Sequence, residues 1–232
     1  MKIVMLNGQN HKGSTYHIGR QIIDKINGNN EVIEFFFPKD LNHFCVGCYK
    51  CIENATACPY YDEKKVILDA VNDANLLVIT TPTYCLHVSA PLRSLIDMTF
   101  GYWMVHRPKK CMFSKRAVVV STSAGAGTKS AIKDVCDALF YLGIPSVTKY
   151  GIAVQAMKWE GVTEKKKEKI GNDTTKIAKK LSTNKKPKVG IKTKFMFNMM
   201  GMMQKKGLGA SPSEKAYWEK EGWLDGKRPW KS

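Results

Sequence analysis

At 232 residues the chain is long enough for one sizeable α/β core with an appendage, and no apolar run approaches the roughly 20 residues that would cross a bilayer. The formal net charge is +17 and uneven: residues 155–232 hold 20 Lys/Arg against 8 Asp/Glu and so carry +12 of it. Seven cysteines, an odd number, and a Met1-Lys2 start leading straight into Ile3-Val4-Met5-Leu6 argue against a secretory leader and a disulfide framework, and for a reducing cytoplasm.

In chain order, Lys2–Asn7 reads as a buried strand and Gly8–Ser14 as a polar loop. From Thr15 to Ile26 the residues Ile18, Ile22, Ile23 and Ile26 recur at helical spacing, closed by Asn27-Gly28. Glu31–Phe37 is a second strand, stopped by Pro38. Cys45, Cys48, Cys51 and Cys58 follow as C-x2-C-x2-C-x6-C, with Pro59 directly after the last. Two-residue gaps let one short loop fold three thiolates around a single inorganic centre, the fourth returning after a longer excursion. Iron–sulfur clusters favour this compressed spacing; zinc ribbons usually hold two C-x2-C pairs apart, which makes zinc the weaker reading.

A helix is predicted near Glu63–Val71, a third strand over Asn75–Thr80, a loop opened by Pro82, and a helix over Ala90–Phe100 with Pro91 in its first turn. Arg116–Ser121 is a fourth strand, Ala124–Gly127 a tight loop, Lys129–Leu142 a helix ended by Gly143, and Val147–Val154 a fifth strand. A charged helix runs from Gly161 to about Leu181. A basic linker (Thr183–Gly190), a methionine-rich stretch (Phe195–Met203) and an end bearing Trp218, Trp223 and Trp230 complete the chain. Strands alternating with helices predict an α/β fold: a five-stranded parallel sheet in the flavodoxin-like order 2-1-3-4-5, with helices on both faces. Residues 1–182 form that domain. Residues 183–232 form a basic helical extension too short to fold alone, packed on the body or on a partner subunit. The methionine stripe suits core or a subunit interface, the latter favoured, over a membrane surface.

Open parallel sheets bind ligands beyond the carboxyl ends of their strands. Three loops fall there: Asn7–Thr15, feeding a helix N-terminus suited to a phosphate; Thr81–His87, with Pro82 and Tyr84 as an apolar wall for a flat ring; and Ser121–Gly127, whose glycines admit close backbone approach. A Walker A loop and GxGxxG are both absent. Tyr84 is read as a loop aromatic rather than core. His87 and His106 are expected to be surface or hydrogen-bonded, Cys85, Cys111 and Cys136 to be buried small residues, and Asp97 to pair with a basic neighbour.

With these residues in place the chain resembles the flavodoxin-like NAD(P)H-dependent FMN reductases, and within them the iron–sulfur flavoprotein branch. Gly8-Gln-Asn-His-Lys-Gly-Ser-Thr15 is similar to the family's phosphate loop, with Gln9 where serine and His11 where arginine is usual. Thr81-Pro-Thr-Tyr84 with Ala90-Pro-Leu-Arg-Ser-Leu-Ile-Asp97 resembles its S-P-x-Y and A-P-L-K-x-x-x-D stretch. The cysteine run falls where that branch has its cluster motif.

The resemblance implies FMN with its phosphate on Gln9, His11, Gly13, Ser14 and Thr15. Its ring would lie between Pro82, Thr83, Tyr84, Leu86 and His87 on one side and Ser121, Thr122, Ser123, Gly125 and Gly127 on the other. It implies a [4Fe–4S] cluster on Cys45, Cys48, Cys51 and Cys58, no catalytic side chain besides the flavin, and assembly as a homodimer or homotetramer. Electrons would pass between NAD(P)H, or an acidic ferredoxin drawn by the positive field, and a flavin, quinone or oxygen species. Two rival readings stand beside it: a cluster-free FMN or quinone reductase, and a redox-responsive protein whose basic tail holds nucleic acid. No aromatic–basic reading motif accompanies the charge, which disfavours nucleic acid.

Overall fold

The computed structural model describes residues 1–183 and 185–231. Asn184, inside the expected linker, lies outside the described residues. Five strands, β1 (Lys2–Asn7), β2 (Glu31–Phe36), β3 (Leu76–Pro82), β4 (Arg116–Ser123) and β5 (Ser146–Ala153), form one parallel sheet in the order β2-β1-β3-β4-β5. The register sets Ile3 opposite both Val32 and Leu76, and Val78 opposite Val118. This is the flavodoxin-like sheet expected from the alternation of elements.

Alternation along each strand sorts the side chains into two cores. Val4, Leu6, Leu77, Ile79 and Val119 pack on one face against helices α3 (Tyr61–Asp73), α4 (Ala90–Met98) and α5 (Thr128–Tyr141). Ile3, Met5, Val78, Val118 and Val120 pack on the other against α1 (Ser14–Asp24) and α6 (Glu164–Leu181). The central strands are apolar on both faces because helices cover both, as parallel sheets require. Lys115 is buried with them and donates to Asn72 O and Ala74 O at the end of α3 (2.7 and 2.6 Å). Those carbonyls have no partner within their own helix, and a cation there complements its dipole.

A third core lies at the side of the body. Helices α7 (Ile191–Lys205) and α8 (Pro212–Lys220) bring Phe197, Met200, Trp218, Trp223 and Leu224 against Met104 and Phe113. The methionine stripe therefore divides: Phe197 and Met200 are core, while Phe195 and Met202 are exposed. Among the described residues no helix is long and apolar enough to cross a membrane.

The boundaries differ from the sequence reading where strands outlast their apolar run. Thr81 and Pro82 belong to β3, and Thr122 and Ser123 to β4, because ladder pairing continues through Pro82↔Thr122 and Ser123↔Ala153. Three cysteines also depart from expectation. Cys85 is exposed, at the tip of a turn, and Cys111 and Cys136 are only half-buried.

Candidate functional site

Polar side chains at the carboxyl ends of β1, β3 and β4 stitch the three expected loops together. Gly8 N–H donates to Thr80 O (2.7 Å), and Ser89 Oγ donates to Gly8 O (2.6 Å). Thr15 Oγ1 and Thr122 Oγ1 share a hydrogen bond of 2.8 Å, and Thr83 Oγ1 and Ser121 Oγ one of 2.9 Å. Thr83 N–H donates to Thr122 O (2.8 Å). Each loop is thus tied to its neighbour by buried or half-buried groups, where an unmade hydrogen bond is costly.

Gly13 is the N-cap of α1, and no side chain caps that end. Ser14 is the first helical residue, and its buried Oγ has no partner in the protein. The N–H groups of the first turn are free of intrahelical bonds by construction, and the dipole there favours an anion. Thr15 and Gln9 are buried beside them, whereas His11 is exposed. Ser123 Oγ is likewise buried without a partner. Of the three buried side-chain polar atoms without partners among the described residues, two therefore lie in these loops; the third is Gln204 Oε1. Orphaned hydroxyls in two neighbouring loops are what a ligand with a phosphate and a polar ring edge would satisfy.

The middle loop turns sharply. Tyr84 and His87 exchange both backbone hydrogen bonds (3.1 and 2.9 Å), with Cys85 (φ 49°) and Leu86 (φ 67°) both left-handed between them. Two successive non-glycine residues in that region mark a strained tip held by its surroundings. Gly127 (φ 92°) supplies the room: a Cβ there would come within 2.7 Å of Thr83 Cγ2 and 2.9 Å of Leu86 Cα. Gly125 faces open space and meets no such demand. Pro82 is buried, and Tyr84 and Leu86 stand exposed at the rim. His87 Nδ1 pairs with Asp134 Oδ2 of α5 at 3.0 Å, so Nε2 is the free edge of the ring. Asp97 pairs with Arg93 at 2.9 Å, as its neighbourhood in the sequence suggests.

Two members of this region were not singled out from sequence. Ser89 had a readable signal, a hydroxyl residue directly before the Ala90-Pro91 helix start, which is the pattern of a cap. Its hydroxyl is spent instead on Gly8 O, 81 residues away. Asp134 had none, since its partner lies 47 residues earlier.

The four motif cysteines line a single, largely apolar cavity with Tyr49, Tyr60, Lys64, Met98 and Phe100. Cys51 sits on the four-residue helix α2 (Lys50–Glu53) and Cys58 just past a short turn over Ala55–Ala57. Gly47 (φ 67°) and Tyr49 (φ 55°) bend the loop between the first three. Burial pushes the Cys51 thiol above its ordinary value; Lys64 opposes this, and the other three motif thiols add to it. Among the described residues no three His, Cys, Asp or Glu side chains are gathered at metal-holding distances. What unites the four thiols is the shared cavity, and their donor chemistry suits iron–sulfur ligation.

The family model of NADPH-dependent FMN reductases matches residues 1–158. An iron–sulfur flavoprotein of Methanocaldococcus jannaschii is 29% identical over 143 residues, covering 58% of this chain and 69% of that protein. An iron–sulfur flavoprotein of Archaeoglobus fulgidus is 29% identical over 98 residues, 42% of this chain and 48% of its own length. Among solved structures, an FMN-dependent NADH-azoreductase of Bacillus anthracis, in complex with FMN, superposes with a TM-score of 0.58 over 79% of this chain and all of its own, at 15% identity. That likeness speaks to the fold, whereas the family match spans more than half of the sequence and includes all three stitched loops. The chain belongs to the NADPH-dependent FMN reductase family and is an FMN-dependent NAD(P)H oxidoreductase.

Proposed function

We propose that this reductase couples FMN to a [4Fe–4S] cluster held by Cys45, Cys48, Cys51 and Cys58, and passes electrons from NAD(P)H to a small acceptor. The observation that carries the reading is that all four motif cysteines line one largely apolar cavity. The names of the two archaeal relatives support it.

The flavin supplies the redox chemistry when bound; the protein binds, orients and shields it. Ser14 and Thr15, with the first-turn N–H groups of α1, would hold the phosphate, with Gln9 beside them. Gln9 and the exposed His11 replace the serine and arginine usual in the family, so the phosphate contact rests on neutral donors and the helix dipole. Pro82, Thr83, Tyr84, Leu86 and His87 would wall one side of the ring, and Ser121, Thr122, Ser123, Gly125 and Gly127 the other. Ser123 Oγ is the polar edge contact. His87, oriented by Asp134, presents Nε2 at the mouth, where it could exchange a proton with a bound acceptor.

Donor and acceptor would share one open face in turn, giving ping-pong kinetics. A quinone is the acceptor we favour, because an FMN-dependent NADH:quinone oxidoreductase of Mesoplasma florum is 28% identical over 115 residues. The concentration of positive charge in residues 155–232 suits an acidic ferredoxin as an alternative donor. We further propose a homodimer or homotetramer working in a reducing cytoplasm, with residues 183–232 docked on the body and not an independent domain. An anaerobic absorption spectrum with iron and sulfide assayed on the same sample tests the central point. Flavin bands with a broad shoulder near about 400 nm and roughly four irons per chain are expected. Flavin bands without iron after anaerobic reconstitution would leave a cluster-free reductase.

A further inference from the structure

We infer that the C-terminal extension clamps the cysteine loop, directly through Ser213 and indirectly by holding Arg107 of the body, with the buried Glu214–His106 pair as the anchor between extension and body. The inference rests on the reading of the cysteine cavity as a working site.

Helix α2 carries Cys51 but is a single turn, and its carbonyls lack partners within the helix beyond the bond from Asn54 N–H to Lys50 O. Each of the next three is taken from outside. Arg107 donates to Cys51 O and, at 3.4 Å, to Glu53 O. Ser213 Oγ donates to Ile52 O at 3.1 Å. The residue bearing a motif thiol is thereby positioned through its own backbone and both neighbours, by groups 54 to 161 positions away in sequence.

Arg107 is itself held by the extension. Trp218 Nε1 donates to His106 O (2.6 Å), and Tyr217 OH to Pro108 O (2.6 Å), one bond on each side of Arg107. His106 Nδ1 meets Glu214 Oε1 at 2.6 Å with both side chains almost wholly buried, and Ala210 N–H donates to the other carboxylate oxygen (3.0 Å). A buried pair of this kind contributes geometry more surely than net stability, since breaking it strands a charge. The His106 ring also packs 4.2 Å from the ring of Phe100, which lines the cysteine cavity. Helix α2 meets α8 directly, and Ser211 Oγ, which shares a hydrogen bond of 2.8 Å with Ser213 Oγ, reaches the same Ile52 carbonyl at a longer 3.5 Å.

The test is thiol alkylation in metal-free protein, mapped by mass spectrometry residue by residue, with Cys136 on α5 as the reporter of global opening. Arg107→Ala should accelerate alkylation of Cys51 about tenfold, the change expected when a charge-assisted hydrogen bond that closes a local opening is lost. Ser213→Ala should do so several-fold, and Cys136 should be unchanged in both. Ser213→Ala removes one hydroxyl and leaves the third core intact, so it remains informative if Arg107→Ala folds poorly. Unchanged Cys51 rates in Ser213→Ala and in folded Arg107→Ala would overturn the clamp. Iron content of the reconstituted wild type is measured in parallel. Accelerated Cys51 alkylation supports the clamp even if the wild type takes up no iron, the case in which the cluster reading alone falls.

Discussion

Gly8, Thr83 and Thr122 lie at or within a residue of strand ends that the two sheet cores already fix. Their loops are joined by backbone bonds one step beyond the ladder and by side-chain bonds such as that of Thr15 with Thr122. Cys45, Cys48 and Cys51 lie on a loop that leaves the sheet after β2 and is secured by Arg107 and Ser213, which no strand positions. The first region is preorganised by the parallel sheet itself. The second depends on a peripheral core of eight buried residues, six of which come from the last 44 positions. A site of the first kind should survive damage to the extension, and one of the second kind should not.

The strongest way to break this comparison is Trp218→Ala. Trp218 is fully buried, touches the rings of Phe197 and Trp223 (4.8 and 5.2 Å) and donates to His106 O. Its loss should cost about 3–5 kcal/mol of the extension's docking. Thermal unfolding followed by intrinsic fluorescence should show an early transition in the variant, with FMN retained through it. Simultaneous loss of FMN at that transition would mean that the two regions are one cooperative unit.

Acid should separate the regions more gently. Burial alone would raise the Glu214 carboxyl, but the hydrogen bond and charge of His106 and the Ala210 amide outweigh it and hold the group below the ordinary carboxylate range. A carboxyl whose folded value lies below its unfolded one, about 4.3 for glutamate, contributes its stability fully above the unfolded value and loses it as pH falls through the folded one. Docking of the extension should therefore weaken below about pH 4. Glu214→Gln should cost about 1.5–3 kcal/mol at neutral pH and flatten that acid step. An acid step that persists unchanged in the variant would assign it to other carboxyls.

The same contrast explains what could be read from the sequence. The elements were legible because β1, β3 and β4 are short apolar runs and the helices carry a 3.6-residue period, both local signals. The strand order came from matching their alternation to the flavodoxin-like pattern. The stitched loops were legible because Gly8, Thr83 and Thr122 lie at or beside strand ends and Thr15 lies in the first turn of the helix that follows β1. Cys45, Cys48, Cys51 and Cys58 announced themselves by spacing, but what holds them did not: Arg107 and Ser213 carry no pattern, and their partners are backbone carbonyls of a loop far away in sequence. Cys85 was expected to be buried because free cysteines usually are; the turn that exposes it is set by Gly127 leaving space for Leu86 from a different loop.

Within the flavin end, Gly127→Ala sharpens the claim of preorganisation. A left-handed alanine costs about 1 kcal/mol before contacts are counted, and its methyl would press on Thr83 and the backbone of Leu86. FMN affinity, read by quenching of flavin fluorescence, should fall about tenfold, with the third core unaffected. Gly125→Ala, at a position where a Cβ meets nothing, should leave affinity near wild type.

The smallest expected effect discriminates most finely, because its sign differs between the free and the loaded protein. Ser14 Oγ and Ser123 Oγ are buried without partners, so each is desolvated in the FMN-free protein without return. Ser14→Ala should therefore leave the FMN-free protein as stable as wild type or slightly more so, whereas an ordinary hydrogen-bonded serine would cost about 1 kcal/mol. The same substitution should weaken FMN binding by about 1 kcal/mol, roughly fivefold, because the hydroxyl gains its partner only with the ligand in place. Comparing Ser14→Ala with FMN and with riboflavin, which lacks the phosphate, locates the contact. An effect confined to FMN places Ser14 on the phosphate, and an equal loss for both would move it to the ring. Ser123→Ala should behave in the opposite way, weakening both ligands alike.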